Sequence, residues 1–341
     1  MSNQPPIEVP QGAIRLNTDS QKLEFFAQDR WYEMATENAS IGNRGFRVSG
    51  TGAGATLIES FNITTLGNSH DTGFDLSTSR GAFGCSASRT RAIIAGGTAP
   101  GVSNSNDIQY FEMTSLSNTI DFGDLTYDAA EAGAHSNNVR LVVTGAASHA
   151  SNVINFLTVA STGSAQDFGD QANKLSSTTA CGSPTRGLFA GGAIPSIVNI
   201  IEFVTIASTG NSVDFGDLTV ARYSAGSGSN NTRGLFIMGN AGSPTNQVNT
   251  IDFVTISSTG NAQDFGDSNM NDTGGPTQGA GVAASPNRIV FFGGYITGGT
   301  DRTTEMEYVN PTTRGNSTRF GDLETAQNSD GNALSSSHGG L

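Results

Sequence analysis

Lysine is almost missing from this chain. Of its 17 basic residues only Lys22 and Lys174 are lysines, and against 30 acidic residues the net charge is −13. A nucleic-acid surface needs a basic patch that displaces counterions from phosphates. None is visible, so no nucleic-acid partner is expected, and an anionic membrane surface is disfavoured for the same reason. Long apolar runs are missing too, and nothing approaches the ~20 residues of a bilayer-spanning helix, so no membrane insertion is expected. The opening MSNQPPIEVP has no charged n-region and no apolar h-region, so it does not read as a secretory signal. Cysteine is limited to Cys85 and Cys181. Two thiols build no disulfide framework, and there is no CxxC or Cys/His cluster for zinc. Their contexts, GCSAS and ACGSP, place both as free structural thiols in like positions of repeats two apart. The four histidines, His70, His135, His149 and His338, have no partner at metal-ligand or triad spacing. His135 and His338 follow or lie within inner strands and approach one end of a channel, a placement attributed to chance. No DxDxDG loop is present for calcium, and no metal or cofactor is expected.

What the chain does have is glycine, 44 of them, with abundant Ser, Thr and Asn and only 14% charged residues. Short apolar runs such as GLFAGG and IEFVTI recur through it. Disorder brings high charge without periodic apolar runs, so many short strands joined by tight turns fit better. The tag DFGD ends at Asp124, Asp170, Asp217 and Asp267, with RFGD ending at Asp322. Asp-Phe-Gly holds magnesium in protein kinases, but there is no strand lysine, Gly-rich loop or HRD to accompany it. A catalytic ligand occurs once per site, whereas a tag returning at a near-constant interval is architecture.

Two anchors give the period. Arg44, Arg91, Arg140, Arg186, Arg233 and Arg288 open an apolar strand and are 47, 49, 46, 47 and 55 residues apart by subtraction. The closing aspartates Asp75, Asp124, Asp170, Asp217, Asp267 and Asp322 are 49, 46, 47, 50 and 55 apart by subtraction. The interval matches a propeller blade of ~40–50 residues. Each unit reads as four strands. Strand A is small and polar, B apolar and ending in Gly, C alternating, and D the tag, with Gly at the C–D turn supplying positive φ. Crowding at a propeller axis suits Ala, Gly and Ser in A. Strand B at Arg44 has no strand A before it, and after the last tag the chain adds one A-like piece, NSDGNALSSS. The expectation is therefore an all-β, six-bladed β-propeller over 41–341, closed by pairing of residues near 329–337 with residues near 44–50. In it the tag phenylalanines pack between blades, and the final Asp accepts backbone N–H groups in the crossing to the next strand A.

These repeats resemble the kelch type. Kelch units carry an Arg before strand A, matched by Arg80 and Arg222. They end strand B with a Gly pair, matched by Gly96-Gly97, Gly191-Gly192 and Gly293-Gly294. An aromatic in strand C is matched by Phe203, Phe253 and Tyr308. The kelch Trp of strand D is replaced by Phe122, Phe168, Phe215, Phe265 and Phe320, and Gly145 and Gly239 stand alone. The resemblance implies a kelch-like fold and says little about function.

Residues 1–40 lie outside the repeat. AIRLNT, KLEFFA and RWYEMA read as a small β-meander, a docking arm too short to bury much core alone. Its docking residues are Ile14, Leu16, Leu23, Phe25, Trp31 and Tyr32. The segment resembles one found in tailed-phage virion proteins, matched here by Gly12, Ile14, Arg15, Asn17, Thr18, Leu23, Glu24, Phe25 and Trp31. With the Gly/Ser/Thr/Asn-rich, lysine-poor repeats, it resembles structural proteins of marine and cyanobacterial phages. The resemblance implies a non-enzymatic virion protein, in the tail, fibre or capsid decoration, assembled in the host cytoplasm. Its partners would be other virion proteins, further copies of itself and a host surface glycan. Its variable B–C loops, TAPGVSNSND, AIPSIVN, AGSPTNQ and YITGGTDRTTE, would share one face and serve adhesion or receptor binding. The alternative is a carbohydrate-active enzyme of sialidase or lyase type. A sialidase needs clustered arginines on a substrate carboxylate. The repeated arginines and the tag aspartates fall at opposite ends of their strands, which leaves Arg80 and Arg222 as the arginines for the other face.

Overall fold

The computed structural model describes residues 9–17, 22–27, 30–33, 43–48, 56–99, 101, 104–145, 151–193, 195–243, 247–270, 277–294, 303–325 and 332–341. It falls into two compact units, Met1–Ile41 and Gly42–Leu341, and no helix occurs among the described residues.

The first unit is one antiparallel sheet of Ile14–Asn17, Lys22–Ala27 and Arg30–Glu33. Ile14 stands opposite Phe25 and Phe25 opposite Tyr32, with Leu16 opposite Leu23. Positions 14, 16, 23, 25 and 32 therefore have one parity in the ladder, while Trp31, opposite Phe26, has the other. The side chains of Leu23, Phe25 and Tyr32 lie outside the described residues. Those of Ile14 and Leu16 are 63% and 60% exposed. On the Trp31 face, Arg15 pairs with Glu24 at 2.7 Å and stacks over the Trp31 ring, which meets Phe26 edge-on.

The second unit is a six-bladed β-propeller. Blade 1 takes strands B, C and D from Arg44–Val48, Leu57–Asn62 and His70–Asp75, and its strand A from Asn332–Ser335. That last strand pairs Asn332 with Val48, Leu334 with Phe46 and Ser335 with Gly45, so the chain's end closes the first blade. Strands A to D of blade 2 are Gly84–Ala87, Arg91–Ala95, Ser105–Glu112 and Ile120–Ala129. Blade 3 comprises Gly133–Ser136, Arg140–Thr144, Val153–Thr158 and Gln166–Asp170, and blade 4 Thr179–Gly182, Arg186–Ala190, Ile200–Thr205 and Val213–Asp217. Blade 5 is Gly226–Ser229, Arg233–Ile237, Thr250–Thr255 and Gln263–Asp267, and blade 6 Gly281–Ala284, Ile289–Phe292, Glu305–Val309 and Thr318–Asp322.

The core lies between blades. Each junction holds its own apolar cluster, as where Ile93, Ile108 and Phe122 of blade 2 meet Leu141, Val143 and Leu157 of blade 3. At the closing junctions, Leu334 packs with Phe46, Val48 and Phe111, and Ala333 with Val290 and Phe292. The tag phenylalanines are buried in these seams, Phe122, Phe168, Phe215 and Phe265 each 2% exposed. The cysteines do not occupy like positions. Cys85 stands opposite the fourth residue of its strand B and Cys181 opposite the third. A one-residue offset on a pleated strand turns them to opposite faces. Cys85 reaches the Ala333 carbonyl of the preceding blade, while Cys181 packs with Phe236 and Val254 of the following one.

Candidate functional site

The repeated motifs converge on blade junctions. In the tag, the first aspartate accepts a hydrogen bond from the glycine two residues on, Gly169 N–H to Asp167 Oδ1 at 3.0 Å, with equivalents at Gly73, Gly123 and Gly266. This turn bulges strand D and holds Gly169 at φ 144°, where its bare Cα faces the Gly210 carbonyl of the next blade. A Cβ there would lie 2.5 Å from Gly210 C and O. The close approach lets Gly210 N–H donate to Phe168 C=O at 2.7 Å and Ser212 N–H to Asp170 C=O at 2.9 Å. Asn211 Oδ1 takes the Asp170 N–H at 3.0 Å. DFGD and the STGN turn are thus the two halves of one clasp. The pairing of the tag's final Asp main chain with the next turn repeats at every junction, including the closing one, where Ser69 N–H donates to Asp322 C=O and Asn68 Oδ1 accepts Asp322 N–H. Between blades 1 and 2 Thr119 and Asn118 do the same for Asp75 without the glycine approach, and between blades 2 and 3 Ser164 Oγ stands in for the Asn. The role expected for the final aspartate is corrected. Its main chain, rather than its carboxylate, makes the junction, and the partner is the neighbour's C–D turn rather than the crossing.

The crossing is held instead by a buried polar residue of strand C in the next blade. Glu59, Gln109, Asn155, Glu202, Asp252 and Glu307 are all 2% exposed or less. Glu202 accepts from Ser212 Oγ at 2.6 Å, Asn173 Nδ2 at 2.7 Å and Ala172 N–H at 3.3 Å. Asn155 takes Thr126 N–H and Oγ1, and Asp252 takes Thr219 N–H and Oγ1. Glu307 accepts from Ser268 and Ser317 hydroxyls, and burial raises its pKa above the ordinary carboxylate value.

The arginines that open strand B are engaged in the same way. Arg186 stacks over Phe203 of its own blade, 4.7 Å to the ring centroid, and donates from Nη1 to Ile256 C=O of the next blade at 2.9 Å. Arg91, Arg140, Arg233 and Arg288 repeat both contacts. Arg80 and Arg222, the arginines sequence placed on the other face, are buried. Arg222 Nη2 meets Asp252 Oδ2 at 2.8 Å and Phe236 C=O at 3.2 Å, and Arg80 pairs with Asp107. Desolvation lowers both arginine pKa values, offset by those carboxylates.

Six A strands surround an axial channel. Near the A–B turns its cavity of about 40 Å³ is lined by Cys85, Cys181, His135 and His338, among others. The two imidazoles that sequence reasoning left unpartnered stand 5.5 Å apart by ring centroid. His338 Nε2 donates to Ala87 C=O at 2.6 Å, and its Nδ1 accepts Gly340 N–H at 3.1 Å. His135 Nε2 lies 3.2 Å from Ser183 C=O. Burial pushes His338 down to about 4, and burial with the neighbouring His338 pushes His135 to about 3. Burial also holds both thiols protonated, Cys181 at about 12 and Cys85 higher. The tail closes this end. A Cβ at Gly340 would lie 1.8 Å from the Ser136 carbonyl oxygen, so only glycine fits there. The sequence already set His135 and His338 in or beside inner strands at one end of the channel but offered no reason to pair them; they are far apart in the chain and meet because the ring closes.

At the other end, where the crossings enter strands A, a cavity of about 150 Å³ lies on the axis with lining from all six blades. Strand alternation places this end with the B–C loops. Much of those loops, including residues 146–150, 244–246 and 295–302, lies outside the described residues. Among the described residues no group of three His, Cys, Asp or Glu side chains could hold a metal ion. A scan of protein-family models and a search of curated proteins return no match to this chain.

Proposed function

We propose that the chain is a non-enzymatic structural protein of a phage virion, docked by its N-terminal sheet and presenting the crossing face of the propeller for adhesion. The observation carrying the reading is the division of labour between the units. The repeated Arg, Asp-Phe-Gly and Asn residues, which are the chemically suggestive groups of the propeller, are engaged in joining blades. The first unit instead exposes Ile14 and Leu16 side by side on one strand of a separate sheet, an apolar pair suited to another protein. Its G-x-I-R-x-N-T…L-E-F…W pattern supplies the phage assignment by resemblance. A rigid ring carrying variable loops on one face suits adhesion, and the engagement of Arg80 and Arg222 in ion pairs weighs against a sialidase-type carboxylate clamp.

The test is incorporation into particles. Tagged full-length chain, the chain lacking residues 1–40, and an Ile14→Asp/Leu16→Asp variant are expressed during infection, and purified particles are probed by mass spectrometry. Full-length chain enters particles, and both altered forms drop out while the ring stays folded. Equal incorporation of the shortened chain overturns the docking role, and absence of the full-length chain from particles overturns the virion assignment.

A further inference from the structure

Five of the six blade junctions are latched alike, and the one between blades 1 and 2 is not. In the five, the turn between strands C and D places a glycine, Gly67, Gly163, Gly210, Gly260 or Gly315, at φ 149–155°. Its N–H donates to the tag phenylalanine carbonyl of the preceding blade at 2.7–3.1 Å. Ser117 takes that place in blade 2 without a positive φ, and among the described residues its N–H makes no bond to blade 1. The facing tag differs too. Asp71-Thr72-Gly73-Phe74-Asp75 is one residue longer than DFGD and carries Gly and Phe in the reverse order, so three residues bulge against Ile58. The Phe74 carbonyl is capped by Thr72 Oγ1 of its own strand at 3.2 Å, and a Cβ on Gly73 would meet nothing within 4 Å.

Two side-chain latches are missing from the same junction. Arg91, Arg140, Arg186, Arg233 and Arg288 each donate to a carbonyl of the next blade at 2.8–3.1 Å. Arg44, the sixth of the set, lies 5.9 Å from the Phe46 ring centroid of its own blade. Among the described residues it makes no bond to Met113 C=O, the equivalent acceptor. Gln109, the buried strand-C residue of blade 2, bonds to Thr119 Oγ1 and Asp107 Oδ2 of its own blade, whereas Glu202 reaches the incoming crossing at Ala172 and Asn173.

Blades 1 and 2 are joined chiefly by apolar contact. Phe46 and Phe74 both meet Phe111, at 5.3 and 5.2 Å between ring centroids, in a cluster with Ile58, Phe83 and Ile94. Three bonds remain at the outer edge, Thr119 N–H to Asp75 C=O at 3.1 Å, Asp75 N–H to Asn118 Oδ1 at 3.0 Å and Ser77 N–H to Thr119 Oγ1 at 2.7 Å. Apolar contact is non-directional, so surfaces held by it turn on one another where a set of aligned hydrogen bonds does not. The closing junction between blades 6 and 1 carries the full set, with Gly67 N–H on Phe320 C=O, Ser69 N–H on Asp322 C=O and Arg288 on Ile63 C=O.

We propose that the ring flexes and opens between blades 1 and 2, at the outer edge of that junction, while the other five, the closing one included, stay latched. The inference is independent of the virion reading. Opening there uncovers the Phe74, Phe111 and Met113 end of the apolar cluster.

The experiment is native-state hydrogen exchange on the full chain, read residue by residue by NMR. Each junction supplies one matched amide, bonded to the carbonyl of the preceding blade's closing aspartate: Thr119, Ala165, Ser212, Ala262, Ser317 and Ser69. After correction for intrinsic rate, Thr119 exchanges at least about tenfold faster than each of the other five. Its exchange also accelerates in low guanidinium chloride, because the opening exposes apolar surface. Equal protection at all six amides overturns the inference, as does Ser69 exchanging fastest or a Thr119 rate indifferent to denaturant, which is fraying of the turn alone. A repaired protein tests the cause. Deleting Thr72 and combining Gly73→Phe, Phe74→Gly and Ser117→Gly rebuilds the common tag and turn, and slows Thr119 to the rate of the others with Ser69 unchanged. A folded repair that leaves Thr119 at its original rate overturns the missing latch as the cause. The converse variant, Gly210→Ser, speeds Ser212 toward Thr119 while Ala262 stays protected, and an unchanged Ser212 counts against the latch in the same way.

Discussion

At the scale of single residues, glycine and histidine carry the sharpest consequences. Gly216 stands at φ 144° with its Cα against the Gly260 carbonyl, and an added Cβ would lie 2.5 Å from that carbonyl's atoms. Those atoms belong to backbone already bonded to Phe215 C=O, so they have no soft direction in which to move. Gly216→Ala therefore lowers stability by about 3 kcal/mol, through strain at φ and a broken clasp together. Gly163→Ala, at a turn position with open space around the Cα, keeps only the φ penalty of about 1 kcal/mol. Chemical denaturation of the pair distinguishes clasp from turn. The histidines act through protons. His338 and His135 stay neutral in the fold to about pH 4 and 3, whereas the unfolded chain protonates them near the ordinary 6.5. The unfolded state thus binds more protons below 6.5, and stability falls as pH drops from there toward 4, with no effect above it. Among the described residues no carboxylate lines that cavity to offset the change. His338→Gln keeps a donor for Ala87 C=O and removes the titration. Its denaturation midpoint falls less than the wild type's between pH 7 and pH 4.5. The raised pKa of Glu307 contributes with the opposite sign in both proteins, so the comparison cancels it.

At the scale of strands and junctions, the recurring Arg, Asp-Phe-Gly and Gly-Asn were legible as architecture because a period is visible without knowing what each residue touches. The tag phenylalanines were legible as packing between blades, and they do so, but what the charged residues touch was not. Asp and Arg carry charge, and from sequence the charge looks like their purpose. In the fold Asp170 contributes its main chain, and Arg186 contributes a planar face to Phe203 and a donor to a carbonyl. The buried strand-C residues Glu59 through Glu307 were missed for a related reason. They differ in type from blade to blade, and only their place unites them, third in strand C in five blades and fifth, as Gln109, in the longer strand C of blade 2. The Arg222–Asp252 pair belongs to this layer and has both side chains 0% exposed. Arg222→Leu leaves Asp252 buried without its cation and costs about 3–5 kcal/mol. Arg222→Leu combined with Asp252→Leu recovers part of that loss, although Thr219 N–H and Oγ1 then lose their acceptor. A double-mutant cycle read by denaturation measures the coupling. Additive losses would show that the pair acts as two separate hydrogen-bonding groups.

At the scale of the ring, stability is shared around a circle, because each apolar cluster joins two blades and no blade holds a complete core of its own. Closure was legible since a missing first strand and a spare last one leave a single solution, and Asn332–Ser335 does lie against Arg44–Val48. Ending the chain at residue 331 removes strand A of blade 1 and with it Leu334 and Ala333 from the two clusters that flank the closing blade. It also exposes the B-strand edge from Gly45 to Val48 as a template for other chains. The shortened protein loses its single cooperative transition, shows a smaller denaturant slope because less surface is buried, and associates on size exclusion. A peptide of residues 332–341 supplied in trans restores the transition. Ending the chain after Ser336 is the control that separates closure from the tail. It keeps the strand, removes His338 and Gly340, which lies against Ser136, and leaves a cooperative ring whose sensitivity to acid is reduced. If the protein ending at 331 unfolds with the same midpoint and slope as the full chain, the seam between the termini contributes nothing. The clasps and inter-blade clusters would then hold an open arc of blades as firmly as a closed one.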